Sequence, residues 1–266
     1  MKLNKRIGII GCGNMGGAIL TGLVKNRIVS SSRVKVYDKI LPKVKALARR
    51  WKVLQGTGNT DVVASSDIVV LAVKPQDLFE AAAEFQRAFT AKHLLITILA
   101  GTPIAKVRRA VGSKPKIVRA MPNLGAQVGE AITALAGDSG GMKLAEAVFS
   151  GCGKTVRLSE KYFDLVTAIS GSGPAYFFLL MELLAKEAKS HGLSEQVARE
   201  LAVQTAVGAG LLAKASKFSP AELRKQVTSK GGTTEAALRV FEKKGLAATV
   251  SKGLQAALRR GRQLSQ

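Results

Sequence analysis

The stretch RIGIIGCGNMG, Arg6 to Gly16, constrains this chain more than any other. An apolar run, Arg6–Ile10, passes directly into three glycines spaced G-x-G-x-x-G, and these open an apolar stretch of helical period, residues 11–25. That order of strand, turn and helix gives each glycine a job. Gly11 permits the tight turn, Gly13 lets the backbone approach a ligand, and Gly16 lets the helix pack close to the strand. Free N–H groups at the start of such a helix attract an anion. A second apolar run, Val34–Asp38, ends on an acidic residue 22 positions after Gly16, where an acceptor for a ribose 2′-hydroxyl is expected. The pattern points to a bound dinucleotide, with Gly11, Cys12, Gly13, Asn14, Met15 and Gly16 around the pyrophosphate. Asp38 favours NADH, whereas Lys39 and Lys43 could meet the 2′-phosphate of NADPH, so either cofactor is admitted.

The first half continues the alternation. Strands are expected at Ile68–Val73, Leu94–Leu99 and Lys116–Ala120, and short ones near Glu130–Ala136 and Thr155–Arg157. Helices are expected at Pro42–Trp51, Asp77–Phe89 and Ile104–Val111. This spacing calls for a parallel sheet with right-handed crossovers. After Ser159 no strand pattern remains, and Phe163–His191, Ser194–Ala215, Pro220–Thr228, Thr233–Glu242 and Leu246–Leu264 read as helices. The expected fold class is α/β, an N-terminal Rossmann-type domain (residues 1–158) followed by an all-helical domain (residues 159–266).

Composition excludes several alternatives. With 266 residues, 47% hydrophobic and 22% charged, the chain can build real cores. Its apolar stretches read as too short, or too interrupted by Gly and charge, to span a bilayer, and no signal-peptide pattern precedes the Gly-rich turn. No membrane partner is expected, and the reading is cytoplasmic. Cys12 and Cys152 lie far apart and read as small buried thiols, and His93 and His191 have no metal-ligand spacing, so no metal is expected. The net charge of +23 is large, but the basic residues are spread along the chain and aromatics are only 5%. Without a base-stacking platform, nucleic acid is not the expected partner. The field would still attract small anions.

Three strand ends carry Pro or Gly turns on one edge: AVKPQ (Ala72 to Gln76, with Val73, Lys74 and Pro75), LAGTP (Leu99 to Pro103) and RAMPN (Arg119 to Asn123). Ligands bind at that edge of such sheets. Two further stretches stand out. TAISGSGPAYFFLLMELL (Thr167 to Leu184) matches neither a phosphate loop nor a nucleophile elbow. It reads as a helix N-terminus, with Pro174 in its first turn, packed against a ligand cleft. VTSKGGTTEAAL (Val227 to Leu238) offers backbone N–H groups and hydroxyls at a helix start. That is either a carboxylate nest or a plain helix–helix turn with a threonine N-cap.

Taken together, IGIIGCGNMGGAIL, LAVKPQ, RAMPN, TAISGSGPAYFFLLMELL and VTSKGGTTEAAL resemble, in order and spacing, the pyrroline-5-carboxylate reductase family. The resemblance covers essentially the whole chain. It implies reduction of 1-pyrroline-5-carboxylate to L-proline with NADPH or NADH. It also implies a homo-oligomer whose helical domain forms an intertwined dimer, often assembled into rings of dimers. Asn59, Ala72, Val73, Lys74, Pro75 and Ala100 match cofactor contacts of the family. The substrate would sit by Ser172, Met121, Pro122 and Asn123 and on Ser229, Gly231, Gly232, Thr233 and Thr234, with Thr234 next to the ring nitrogen in the catalytic position. The chain departs from the family pattern at Leu124-Gly125-Ala126-Gln127, Lys217 and Lys230. A β-hydroxyacid dehydrogenase of similar build would want a lysine one turn into the helix after the Gly-rich start. Here that place reads Ala175-Tyr176-Phe177-Phe178, and the first lysine is Lys186.

Overall fold

The computed structural model describes residues 2–265. Its elements run β1 (Ile7–Ile10), α1 (Asn14–Lys25), β2 (Val34–Tyr37), α2 (Leu41–Trp51), β3 (Leu54–Gln55), α3 (Asn59–Ala64), β4 (Ile68–Leu71), α4 (Leu78–Phe85), β5 (Leu94–Thr97), α5 (Ile104–Val111), β6 (Lys116–Met121), β7 (Ala131–Gly137), α6 (Ser139–Phe149) and β8 (Gly153–Arg157). The helices that follow are α7 (Phe163–Val166), α8 (Gly173–Ser190), α9 (Glu195–Ala215), α10 (Pro220–Gln226), α11 (Thr233–Lys243) and α12 (Leu246–Ser265). The chain up to Ser172, with the stretch from Leu258 onward, forms one compact unit, and Gly173–Ala257 forms another.

The first unit is an eight-stranded sheet in the order β3-β2-β1-β4-β5-β6-β7-β8. Strand order reverses between β1 and β4, which opens a crevice at the carboxyl ends of the strands. The centre of the sheet is buried on both faces: β1, β4 and β5 are buried at every position and almost wholly apolar. Along β4, Ile68 and Val70 join the core formed with α1, α2 and α6, while Val69 and Leu71 join the one formed with α3, α4 and α5. Period-two alternation therefore serves two cores at once.

Three features differ from the sequence reading. β7 runs antiparallel to β6, and β8 follows β7 in parallel, so the sheet ends in a reversed pair. The short strand β3 and the helices α3 and α6 lie in stretches that carried no expected element. Third, α8 does start at Gly173 with Pro174 in its first turn, and the residues before it are helical as expected for Phe163–His191, but they are wound differently. A π-turn spans Thr167–Gly171 between α7 and α8, with the Ser172 N–H donating to the Thr167 carbonyl at 2.8 Å. Pro174 has no N–H to give the carbonyl four residues back, and a widened turn absorbs that fault without ending the helical run. A Cβ on Gly171 would lie 2.8 Å from Cε of Met121, the far end of a flexible side chain that can shift to make room.

Since the helical run continues through the joint, the stretch Glu160–Ser190 is long enough by length and composition to cross a membrane, and its most apolar 18 residues have a mean hydropathy of 1.3. The expectation that the apolar stretches are too short, or too interrupted by Gly and charge, is corrected to that extent. Length and composition do not separate a membrane span from a helix awaiting protein cover. In the single chain the apolar side chains of α8 are uncovered: Phe177, Phe178, Leu179, Leu180, Leu183 and Leu184 are all exposed. Within the second unit α8 packs along α9, whose Leu201, Leu211 and Leu212 are exposed as well.

Candidate active site

The dinucleotide motif folds as its glycines demand. Gly11 has φ +99°, and a Cβ there would lie 2.5 Å from the Ala72 carbonyl oxygen. A Cβ on Gly16 would collide with the Gly11 carbonyl oxygen. Gly13, the N-cap of α1, has nothing within 4 Å of the Cβ position, so its missing side chain serves no packing need of the protein. Open space over a helix N-terminus, with the N–H groups of Asn14, Met15 and Gly16 in the first turn, fits a pyrophosphate.

A groove beside this turn is lined by Gly11, Gly13, Asp38, Asn59, Ala72, Val73 and Lys74, and these expected cofactor positions do come together. Asp38 is held firmly. Its Oδ2 accepts the Cys12 N–H at 2.7 Å and its Oδ1 accepts the Ile40 N–H at 2.8 Å. Burial, reinforced by the Asp38 charge, pushes the Cys12 thiol up to about 12, so it stays a thiol and packs as a small side chain. Burial pushes Cys152 up to about 11. The groove wall also contains Asp77, Glu80 and Glu84, which the sequence reading missed because they lie on the outer side of α4 and the turn before it. Asn59 donates its side-chain N–H to Glu84 at 2.8 Å, and Lys39 pairs with Asp77 at 3.6 Å. Lys39 is exposed at the groove beside Asp77, and Lys43 lines the same groove. Pro75 opens the 3₁₀ turn Pro75–Asp77 just beyond Lys74.

Ala100 and Met121, Pro122 and Asn123 do not line this groove; they follow β5 and end β6. The mouth there is organised by Arg119 of RAMPN together with Glu160 and Phe163, which the motifs did not single out. Glu160 Oε1 accepts the N–H of Ile104 at the start of α5 at 2.8 Å and pairs with the buried Arg119 at 3.1 Å. The Arg119 guanidinium lies 4.8 Å above the Phe163 ring. Arg119 Nη2 and Asn123 Oδ1 are buried without a hydrogen-bond partner, the condition of groups that await one. At the other side of the turn, Leu264 packs on Gly101, and Ser265 Oγ donates to Asp164 at 2.8 Å.

The second group of expected site residues lies in the helical unit. Gly231, at φ +73°, bends the chain before α11, and Gly232 is the N-cap, where no side chain caps the helix. The threonine N-cap alternative is therefore not what the structure shows. A Cβ on Gly232 would collide with Ser229 Oγ, and the Gly232 N–H donates to the Ser229 carbonyl at 3.0 Å. The N–H of Gly231 donates to Glu235 Oε2 at 2.7 Å. The donor at this bend is thus satisfied by the chain's own Glu235 carboxylate. Thr233 and Thr234 follow in the first turn, where backbone donors have no intrahelical acceptor. A glutamate at the third position of a helix is a visible start signal, and reading it that way would have found Glu235.

A doubly wound sheet, an open glycine at a helix N-terminus and an acidic residue ending β2 define a dinucleotide-binding protein of the Rossmann class. The family model for pyrroline-5-carboxylate reductase dimerisation matches residues 160–264, and that for coenzyme F420-dependent NADP oxidoreductase matches residues 6–101. A pyrroline-5-carboxylate reductase of Methanosarcina acetivorans is 34% identical, covering 99% of both chains. Among solved structures, a pyrroline-5-carboxylate reductase from Coxiella burnetii superposes with a TM-score of 0.93 at 34% identity, covering 99% of this chain and 100% of that one. The pyrroline carboxylate reductase of Plasmodium falciparum, solved with NADP bound, gives 0.88 at 29% identity, covering all of both chains. The chain belongs to the pyrroline-5-carboxylate reductase family.

Proposed function

We propose that this protein reduces 1-pyrroline-5-carboxylate to L-proline with NADPH or NADH, the last step of proline biosynthesis. Family membership over the full chain supports the reaction. The observation in the structure that carries it is the bend at Gly231, which takes a carboxylate oxygen on its N–H. In this reading residues 1–158 bind the dinucleotide, while residues 159–266 hold the substrate and the dimer contact.

Bound over Gly13, the reduced nicotinamide cofactor supplies a hydride for the C=N carbon. The chain's own residues bind and orient. Gly11 to Gly16 hold the pyrophosphate; Asp38, Asn59, Ala72, Val73, Lys74, Pro75 and Ala100 flank the rest of the cofactor. Ser229 to Thr234 hold the substrate carboxylate; Ser172, Met121, Pro122 and Asn123 are the other substrate positions that the family resemblance implies. An imine nitrogen is basic enough to arrive protonated, so no strong acid is needed, and the Thr234 hydroxyl suffices to orient it. Neither histidine is placed for acid catalysis. Both ring nitrogens of His93 are taken, by Thr90 and the Val63 carbonyl, and His191 directly follows α8, with its Nδ1 against the Glu187 carbonyl.

Steady-state oxidation of each cofactor, assayed with pyrroline-5-carboxylate and with a β-keto acid, tests the function. Turnover with the imine alone supports it, and turnover with the keto acid alone overturns it. The same assay reads Asp38. Its carboxylate repels a 2′-phosphate, so NADH serves at least as well as NADPH. Asp38→Asn removes the charge and keeps one acceptor, which moves the NADPH:NADH ratio of kcat/KM upward by about tenfold. A wild type that prefers NADPH a hundredfold would contradict this role.

The uncovered apolar side chains of α8 and α9 require a protein partner. A second copy of the chain supplies it, giving a homodimer that can assemble further into rings of dimers in the cytoplasm. The basic surface then gathers the anionic substrate and cofactor rather than nucleic acid or lipid. Light scattering at micromolar concentration is expected to show a dimer or larger, and an active monomer would refute the assignment.

A further inference from the structure

We infer that the Glu235 carboxylate is a displaceable occupant of the nest, and that Arg239 receives it when a substrate carboxylate arrives. The inference rests on the reading of that nest given above. Glu235 Oε2 accepts the Gly231 N–H at 2.7 Å, and the same oxygen lies 3.7 Å from Arg239 Nη2, one helical turn further on. The carboxylate thus stands between two donors. Nothing clamps it on the first: about a third of its side-chain surface is exposed, and Arg239 is three-quarters exposed.

An anionic substrate cannot share this arrangement unchanged. One N–H serves one strong acceptor well, and two carboxylates a few ångströms apart repel. Rotation about the Glu235 side chain moves its charge towards Arg239, frees the Gly231 N–H, and leaves the first-turn donors of α11 to the ligand. The exchange replaces one charged hydrogen bond with another, so a carboxylate ligand meets only a small barrier. A neutral cyclic imine has nothing to put in place of the displaced oxygen. Glu235 is therefore a specificity-determining residue: it keeps the nest closed to imines that lack a carboxylate. It touches no reacting atom and leaves the rate of the chemical step alone.

The test compares Glu235→Ala, Glu235→Gln and Arg239→Ala with wild type, using pyrroline-5-carboxylate and the neutral 1-pyrroline. Both Glu235 variants are expected to lower KM for pyrroline-5-carboxylate roughly three- to tenfold with kcat unchanged, and to narrow the preference over 1-pyrroline. Arg239→Ala is expected to raise that KM. The glutamine variant keeps a neutral acceptor for the Gly231 N–H, so it separates the charge effect from loss of the helix start. If wild type reduces pyrroline-5-carboxylate but neither Glu235 variant lowers its KM, the displacement is refuted and Glu235 is a cap. If wild type reduces no pyrroline-5-carboxylate, the reading of the nest fails, and the displacement falls with it.

Discussion

Replacing Gly13 by valine is expected to leave the fold intact and to abolish productive dinucleotide binding. The position has φ −69° and ψ −169°, which any L residue adopts, and no atom lies within 4 Å of where a Cβ would stand. Packing therefore does not require glycine there. A ligand does, because a pyrophosphate at the α1 N-terminus must come against the backbone. Affinity for NADPH or NADH should fall by about a hundredfold or more, some 3 kcal/mol, while the melting temperature moves by less than about 2 °C. Two neighbours serve as internal controls. Gly16→Ala drives a methyl group into the Gly11 carbonyl and should cost about 1–3 kcal/mol of stability. Gly17→Ala meets only Leu47 Cδ1, at 4.0 Å, inside a helix, and should stabilise by about 0.4–1 kcal/mol. A Gly13→Val protein that binds cofactor normally would remove the groove from the account. Calorimetric titration beside thermal melts gives both numbers.

Thr234→Ala is expected to slow turnover about ten- to a hundredfold, equivalent to 1–3 kcal/mol of lost orientation and one lost hydrogen bond. The stability readout separates function from structure. Gly232 is the N-cap and no side chain caps α11, so removing the Thr234 hydroxyl takes away no cap. Cofactor affinity and melting temperature should stay near the wild-type values. A variant that melts earlier yet turns over normally would shift the search for the imine's partner to Ser172 or Ser229.

The parts of this molecule that depend on local chemistry were legible in its sequence. GCGNMG needs only a strand before it and a helix after it, and the GGTT stretch announces a helix start by composition. Strand direction is not a local property. Nothing in the alternation of Ala131–Gly137 says that β7 reverses, because its side chains bury the same way in either direction. β3 has two residues and no periodicity to detect. At the Gly171–Pro174 joint the helix start at Gly173 was legible, whereas the π-turn over Thr167–Gly171 was not, because no residue pattern marks a widened turn. The Glu160 bridge between Arg119 and the start of α5 joins residues 41 and 56 positions apart, and only tertiary structure brings them together.

Transfer of label from the cofactor tests the central claim most directly. The protein is supplied with NADPH or NADH deuterated at C4 of the nicotinamide, together with pyrroline-5-carboxylate, and the product is read by NMR and mass spectrometry. The expected product is L-proline carrying one deuterium at C5, the former imine carbon, in amounts equal to the cofactor oxidised. Cofactor oxidation without labelled proline, or label appearing on the carbinol carbon of a hydroxy acid instead, would contradict it.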